Sequence, residues 1–423
     1  MGYDKKELKK GITLHTIDTD KFKTNLIAIF LTTELNRENV TKNAVISSIL
    51  RRGSKNLPSQ EEISKKMEEM YGASFDCGLD KTGDNQVLKF YVETVNDKFL
   101  PQNNENILKT ALESIFDIVF NPYIEENSFK KEYVEQEKNN IKQLIESKID
   151  NKARYARERC IEEMYKNKPF GLYGYGYIED LEKIDGKNIY EYYKELINTC
   201  KIDIFVSGSI DNTIINLIND NENIKKLQER NAKYIIPDTL NKEVAEKEKN
   251  VTESMEVTQG KLVLGLDLNL DKKEARYSVL LYNSILGGSA NSKMFQNVRE
   301  KANLAYAVSS NYLRYKSNIF VNCGIEIKNY EHALELIRKQ IDDMKAGEFT
   351  DEDIENAKKG IIASIKTIDN EQDTEITYYF GQELSTERTS IDEYIDNIKK
   401  VNKADIIDIA NRTTINTIYF LKD

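Results

Sequence analysis

Two histidines, His15 and His332, are the first residues to consider for metal binding or acid–base catalysis in this chain of 423 residues. Imidazole is the commonest zinc ligand, and zinc sites usually place two histidines at short spacing or combine them with cysteine. These two lie in opposite halves of the chain, and no spacing of Asp or Glu around either indicates a ligand set. We therefore expect both to be ordinary, partly exposed histidines.

The sequence offers no other device for hydrolysis. It contains no G-x-S-x-G segment, and its cysteines and histidines show no local pattern of a nucleophile with its base. Scattered cysteines without a CxxC pair argue against a thiolate metal cluster or a disulfide framework, and the four are Cys77, Cys160, Cys200 and Cys323. The sequence therefore predicts no metal and no cofactor in this chain.

Charge and hydropathy exclude two classes of partner. The formal net charge is −10, with acidic and basic residues interleaved, so the surface should repel nucleic acid and anionic lipid. No apolar run approaches the roughly 20 residues that a membrane span needs. The first residues, MGYDKKELKKGITLHTIDTD, lack the apolar core of a secretory signal. We expect a cytoplasmic protein that binds neither nucleic acid nor membrane.

The two halves of the chain repeat one order of elements. A length of 423 residues fits two domains of about 200 residues better than one. The offset between matching segments falls steadily along the chain, as loop deletions in one copy of a duplicated domain would produce. The matches pair Ser48-Ile49-Leu50 with Ser284-Ile285-Leu286, Phe90 with Phe320, Lys138 with Lys358, and Phe205 with Phe420.

Each half alternates short apolar stretches with amphipathic helical patterns, which is typical of an α+β fold in which helices cover a sheet. One helical stripe is formed by Ile107, Leu108, Leu112, Ile115 and Ile118. We predict a first domain over residues 1–220 and a second over 256–423. The charged linker between them, 221–255, contains Pro237 and the run from Lys242 to Lys249.

Several segments resemble the M16 peptidases, which include pitrilysin and the mitochondrial processing peptidase. ISSILRRGSKNLPSQEEISKKMEEMYGAS resembles the stretch that carries the family's inverted zinc motif, H-x-x-E-H; PFGLYGYGYIEDLEKI, KIDIFVSGSID and LGGSANSKMFQNVREKANLAYAVSS are equally similar. The resemblance covers nearly the whole chain. It implies two homologous α+β domains of the LuxS/MPP-like metallopeptidase type, each a mainly antiparallel sheet covered by helices. It is greatest for bacterial YmfF-like members, which lack the zinc motif and accompany an active homologue.

The zinc site that this resemblance implies is missing from the sequence. In the motif, two histidines at i and i+4 hold zinc and a glutamate activates the bound water. With Arg52-Gly53-Ser54 as the anchor, these three positions fall on Ala44, Ser47 and Ser48, and the family's third ligand falls on Leu144. A methyl group, two hydroxyls and an isobutyl group cannot form a zinc site, so we expect zinc only in a partner.

Two other positions of the family pattern are kept. Arg299 and Tyr306 match the arginine and tyrosine that hold the peptide backbone near the cleaved bond in active relatives. Both can donate hydrogen bonds to a carbonyl oxygen or to the oxyanion that develops from it. The alternative is that Arg299 pairs with an acid such as Glu300 and that Tyr306 fills the core. Asp76 stands where active members carry a substrate-binding asparagine, and a carboxylate cannot donate a hydrogen bond.

Three functions follow from the resemblance. The favoured one is a non-catalytic subunit of a heterodimeric M16 zinc peptidase, which gives Arg299 and Tyr306 to the peptide substrate of an H-x-x-E-H-containing partner. The second is a structural or assembly protein with no role in proteolysis. The third, an independent peptidase with another metal arrangement, is the weakest because the chain has only two histidines.

Overall fold

The computed structural model describes residues 2–100, 106–210, 212–237, 240 and 245–423. The strands are β1 Gly2–Lys9, β2 Ile12–Asp18, β3 Thr24–Glu34, β4 Ser74–Thr82, β5 Asn85–Val95, β6 Ile124–Glu125, β7 Ser128–Phe129, β8 Lys201–Gly208, β9 Lys249–Ser254, β10 Gly260–Leu268, β11 Ala305–Leu313, β12 Asn318–Ile325 and β13 Thr413–Lys422. The helices are α1 Val40–Ile49, α2 Gln60–Glu69, α3 Ile107–Phe120, α4 Lys131–Glu146, α5 Lys152–Met164, α6 Ile178–Leu181, α7 Gly186–Thr199, α8 Asn212–Asp220, α9 Glu222–Lys226, α10 Ala275–Asn283, α11 Tyr330–Lys345, α12 Asp351–Ile365, α13 Gln372–Leu384, α14 Ile391–Lys400 and α15 Lys403–Asn411.

The chain forms two compact units, and neither is continuous in sequence. Unit 1 comprises Met1–Glu146, Leu172–Ile235 and Asp369–Gly381, and unit 2 comprises Ser147–Gly171, Ile236–Ile368 and Gln382–Asp423. The boundaries 1–220, 221–255 and 256–423 stay a prediction about the two sequence copies. Within the predicted linker, residues 238–239 and 241–244, which include Lys242, lie outside the described residues.

Unit 1 is built on a six-stranded sheet with the order β1-β2-β8-β3-β5-β4. Neighbouring strands are antiparallel except β2 and β8, which are parallel. One face packs against α1, α3 and α7 in a buried core that includes Ile29, Phe90 and Ile204. The central strands β3 and β8 are buried along almost their whole length because both of their faces are covered.

Unit 2 is built on a five-stranded sheet with the order β11-β12-β10-β13-β9. Its pairs are antiparallel except β13 and β9, which are parallel. This order reproduces β4-β5-β3-β8-β2 of unit 1, with the parallel pair at the same place. The prediction of two homologous α+β domains, each with a mainly antiparallel sheet, is confirmed.

The strand matches made from sequence identify equivalent strands, but two residue pairs are out of register. Phe90 lies in the core against the main helices of its sheet, whereas Phe320 on the equivalent strand lies on the opposite face. Phe420 faces the main helices of unit 2, whereas Phe205 packs on the other side of its sheet, against Phe380. Side chains alternate between the faces of a strand, so a one-residue shift would correct each pair.

The second face of each sheet is covered by a helix from the other half of the sequence. In unit 1, Phe380 of α13 packs edge-on against Phe30, with ring centroids 4.6 Å apart. In unit 2, Cys160 and Ile161 of α5 belong to one buried cluster with Phe320 and other sheet residues. Each half of the sequence therefore contributes helices to the cores of both units.

The longest helices are amphipathic. All five residues of the predicted apolar stripe lie on α3 and are buried, which confirms that helix. Within the described part of the chain, no helix combines the length and the apolar character that crossing a membrane requires.

Candidate functional site

Three of the mapped zinc-motif positions lie on α1 of unit 1. Ala44 is 0% exposed and belongs to the main core of the unit. Ser47 is also buried, and its hydroxyl donates a hydrogen bond to the carbonyl oxygen of Ala44 at 3.0 Å. Ser48 is half-buried. The helix thus uses two of the three positions for packing and for hydrogen bonding within its own turn.

The fourth mapped position, Leu144, lies in the last turn of α4, a helix that packs against α1. Its side chain is 45% exposed. Two turns earlier, the carboxylate of Glu137 is buried, forms an ion pair with Arg52 and accepts a hydrogen bond from Asn140 at 3.1 Å. The nearest buried carboxylate on this helix is therefore already engaged by a guanidinium and an amide.

No group of three or more His, Cys, Asp or Glu side chains that could hold a metal ion occurs among the described residues. The assignment of Ala44, Ser47, Ser48 and Leu144 as the former zinc positions stays a prediction. What the geometry adds is that these positions lie on two helices in contact, as a shared site would require.

The expectation of a partly exposed His15 is wrong. His15 is fully buried on β2, where its ring stacks on Phe205 and its Nε2 lies 3.0 Å from a carboxylate oxygen of Asp203. A carboxylate only accepts, so Nε2 donates to Asp203, and Nδ1 lies 2.9 Å from the hydroxyl oxygen of Tyr3. Burial alone would raise the pKa of Asp203, but Lys201 and then His15 outweigh it and hold that pKa below its ordinary value.

His332 is exposed on α11, in agreement with the expectation. The four cysteines are free, and all except the half-buried Cys77 are buried. Burial raises the pKa of Cys77 to about 11 and those of Cys160, Cys200 and Cys323 to about 12. A thiol with such a pKa holds very little of the thiolate that acts as a nucleophile at neutral pH.

Arg299 lies in unit 2 on a π-helical segment, Phe295–Lys301, and its side chain is 42% exposed. The guanidinium carbon lies 4.6 Å from the centroid of the Phe295 ring. Its Nε is 3.6 Å from a carboxylate oxygen of Glu300, which is longer than a hydrogen bond. Such an exposed pair contributes under about 1 kcal/mol. The ring supports a side chain that remains partly exposed to solvent.

Tyr306 lies at the start of the edge strand β11, at a β-bulge. Ala305 pairs with Ile325 and Ala307 pairs with Gly324, so Tyr306 has no residue opposite it. The ring is 57% exposed. A bulge bends its strand and redirects the side chain of the extra residue. The interpretation of Tyr306 as a core residue is therefore wrong.

The segments that carry Arg299 and Tyr306 are joined by one tight turn. The backbone N–H of Asn303 donates to the carbonyl of Arg299 at 3.1 Å, and that of Leu304 donates to Val298 at 3.1 Å. Asn303 adopts a left-handed conformation with φ of 52°, which asparagine tolerates better than most residues. The turn fixes the helix against the start of β11. The substrate-binding roles of the two side chains stay a prediction.

Asp76, the position where active relatives carry asparagine, is exposed on β4, an edge strand of the sheet of unit 1. It lines a cleft of about 540 Å³ together with Glu93, Glu371 and Asp373. One oxygen of Asp76 accepts from the backbone N–H of Cys77 at 2.8 Å. This side chain presents acceptors rather than donors, as its chemistry requires.

Comparisons with known proteins agree with the geometry. Residues 183–361, which include Arg299 and Tyr306, match the family described as "Peptidase M16 inactive domain". The chain is 34% identical, over 97% of its length and 96% of that protein's, to the Bacillus subtilis protein named "Probable inactive metalloprotease YmfF". It is 25% identical, over 69% of both chains, to the "Uncharacterized zinc protease YmxG" of the same organism.

A solved structure has the same architecture over the full length. The crystal structure of a conserved protein from Enterococcus faecalis covers 100% of this chain and 99% of its own, with a TM-score of 0.91 and 27% sequence identity. The similarity therefore extends over both units and over α5 and α13. We call these two the exchanged helices, because each covers a sheet formed by the other half of the sequence.

Proposed function

The chain belongs to the M16 peptidase family as an inactive homologue, and we propose that it is the non-catalytic subunit of a heterodimeric M16 zinc peptidase. In this proposal the partner chain carries the H-x-x-E-H motif and the zinc. This chain contributes Arg299 and Tyr306, which hold the backbone of an extended peptide substrate.

One observation carries the proposal: unit 2 presents both donors to solvent and uses neither for its core. Apart from its contact with the Phe295 ring, Arg299 has only a long contact with Glu300 among the described residues, and Tyr306 is exposed at a bulge. By contrast, Ala44 and Ser47 at the mapped zinc positions are buried. This difference supports loss of metal chemistry together with retention of substrate contacts.

The chemical contribution of the two residues would be electrostatic. A planar guanidinium and a phenol hydroxyl can both donate to the carbonyl oxygen of the cleaved bond, and these bonds strengthen as negative charge develops there. The partner's zinc would activate the attacking water. The four unpaired cysteines support a reducing compartment, and we place the complex in the cytoplasm.

The test begins with co-purification of this chain from its native cells and identification of any H-x-x-E-H-containing chain bound to it. Arg299→Ala and Tyr306→Phe are then each combined with that partner. We expect intact complexes and a peptide-cleavage rate lowered by about a hundredfold, because removal of one such donor costs on the order of 3 kcal/mol.

Matched controls separate this role from general effects of substitution. Arg338→Ala replaces another partly exposed arginine of unit 2, and Tyr71→Phe removes the hydroxyl of an exposed tyrosine of unit 1. Both should leave cleavage unchanged. If Arg299→Ala and Tyr306→Phe also leave it unchanged, the shared active site is rejected and the assembly function remains.

A further inference from the structure

Three cations of unit 2 surround one buried carboxylate, that of Glu387, and we name these four residues the Glu387 cluster. Arg276 and Arg314 both donate to Oε2 of Glu387, and Lys273 Nζ lies 3.5 Å from Oε1. The side chain of Glu387 is only 9% exposed. Three positive charges therefore face one negative charge, which leaves an excess of two.

The two arginines also keep donors without acceptors. Arg276 is buried, and its Nη2 donates to the hydroxyls of Tyr277 and Thr389 at 2.9 and 3.2 Å. The Nε groups of Arg276 and Arg314 are buried and have no hydrogen-bond partner among the described residues. A buried donor without a partner destabilises the folded state, and more so when the group is charged. Each such group in a folded protein calls for an explanation, and a bound ion is one that supplies the missing acceptor.

The cluster is held by a rigid frame. The side chain of Gln382 donates to the carbonyl of Thr389 at 2.9 Å and accepts from its N–H at 3.0 Å, while the N–H of Glu387 donates to the carbonyl of Gln382 at 3.0 Å. On the other side, the rings of Tyr277 and Tyr394 meet edge to face at 5.0 Å. These contacts fix the backbone of the segment from Gln382 to Thr389, which carries Glu387.

We propose that the Glu387 cluster binds a phosphate group, either inorganic phosphate or a small phosphate monoester. A phosphate carries between about −1.5 and −2 charges at pH 7, which matches the excess of two cations better than a carboxylate does. Guanidinium groups bind phosphate oxygens through paired N–H donors. The ligand would approach from the side where Lys273 and Arg314 are partly exposed, 49% and 25% respectively. The site is independent of Arg299 and Tyr306.

Isothermal titration calorimetry with inorganic phosphate tests the proposal on the purified full chain in chloride buffer near neutral pH. We expect saturable binding of one phosphate per chain, weakened at least tenfold in Arg314→Gln and several-fold in Lys273→Gln. Arg338→Gln removes an arginine that pairs with Glu248 elsewhere in unit 2 and should bind phosphate as the parent does. Acetate should bind much more weakly than phosphate.

A parallel titration with phenyl phosphate distinguishes the two sources. Binding of phenyl phosphate alone assigns the site to esters, and binding of inorganic phosphate alone assigns it to the free ion. Lys273 is half exposed, so its substitution leaves the fold intact and decides the test if Arg314→Gln does not fold. The absence of saturable heat with both ligands overturns the proposal, as does equal phosphate binding by Lys273→Gln and Arg338→Gln.

Discussion

Restoring the zinc motif should destabilise unit 1 in a graded way that follows the burial of each position. The four substitutions are Ala44→His, Ser47→Glu, Ser48→His and Leu144→Glu. Ala44 is 0% exposed, so an imidazole there must displace packed atoms, at a cost of about 1–3 kcal/mol. A buried polar group without a hydrogen bond adds about 1–3 kcal/mol. Ala44→His should therefore cost about 2–6 kcal/mol.

Ser47→Glu should be comparably costly. Ser47 is buried and its hydroxyl is satisfied by the carbonyl of Ala44, whereas a longer, charged side chain has no partner there. Leu144→Glu provides the internal control, because a side chain that is 45% exposed can place its carboxylate in water. Its effect should stay within about 0.5 kcal/mol, as for most surface substitutions.

Urea denaturation of the four single variants measures these differences as shifts of the midpoint at constant m-value. With a total stability of roughly 5–15 kcal/mol for a typical protein, Ala44→His should remove a large share of it. If Ala44→His unfolds at the parent's midpoint, or if Leu144→Glu costs as much as Ala44→His, then α1 and α4 face an open cleft and the reasoning from burial fails.

Three further predictions concern the two units separately. Lys249 holds the pKa of Glu163 below its ordinary value of 4.5, so this carboxylate stabilises unit 2 above pH 4.5, and the contribution is lost as the pH falls through the lowered pKa. In urea titrations, Glu163→Gln should cost under about 1 kcal/mol near pH 7 and nothing near pH 3, while Glu335→Gln, at an exposed position of α11, should change stability at neither pH. Gln372→Ala should destabilise unit 1 by about 1–3 kcal/mol in the same assay, since it leaves buried Ser207 without the side-chain donor at 3.0 Å, and no loss would contradict the anchoring of α13. A thiol reagent should modify at most Cys77 in the native chain, slowly because its pKa is raised to about 11, and all four cysteines after unfolding; rapid reaction of more than one native thiol would contradict the burial of the other three.

Much of the fold could be predicted from local pattern. The apolar stripe from Ile107 to Ile118 defines α3, and the repeated order of elements gives two homologous sheets. The pairing of Phe90 with Phe320 fails because it matched two phenylalanines rather than the core-facing residues of each strand. These are Leu88, Phe90 and Val92 in β5 and Ile319, Val321 and Cys323 in β12.

The candidate site could be predicted only in part. The family pattern located Arg299 and Tyr306, but the bulge that exposes Tyr306 is a property of pairing with β12 and leaves no mark in the residues themselves. The burial of His15 depends on Asp203, far along the chain, which satisfies the ring. The Glu387 cluster joins residues from 273 to 387 without any regular spacing, so no sequence motif could have revealed it.

The exchanged helices bear on how a gene for such a chain can change over time. Residues of the first half encode α5, which covers the sheet of unit 2, and residues of the second half encode α13, which covers the sheet of unit 1. A deletion that removed the first half would also remove α5, which covers Phe320 and Tyr419 in unit 2. Selection for a folded second half is then enough to retain the first, so its persistence in the genome is not by itself a sign of surviving chemistry there.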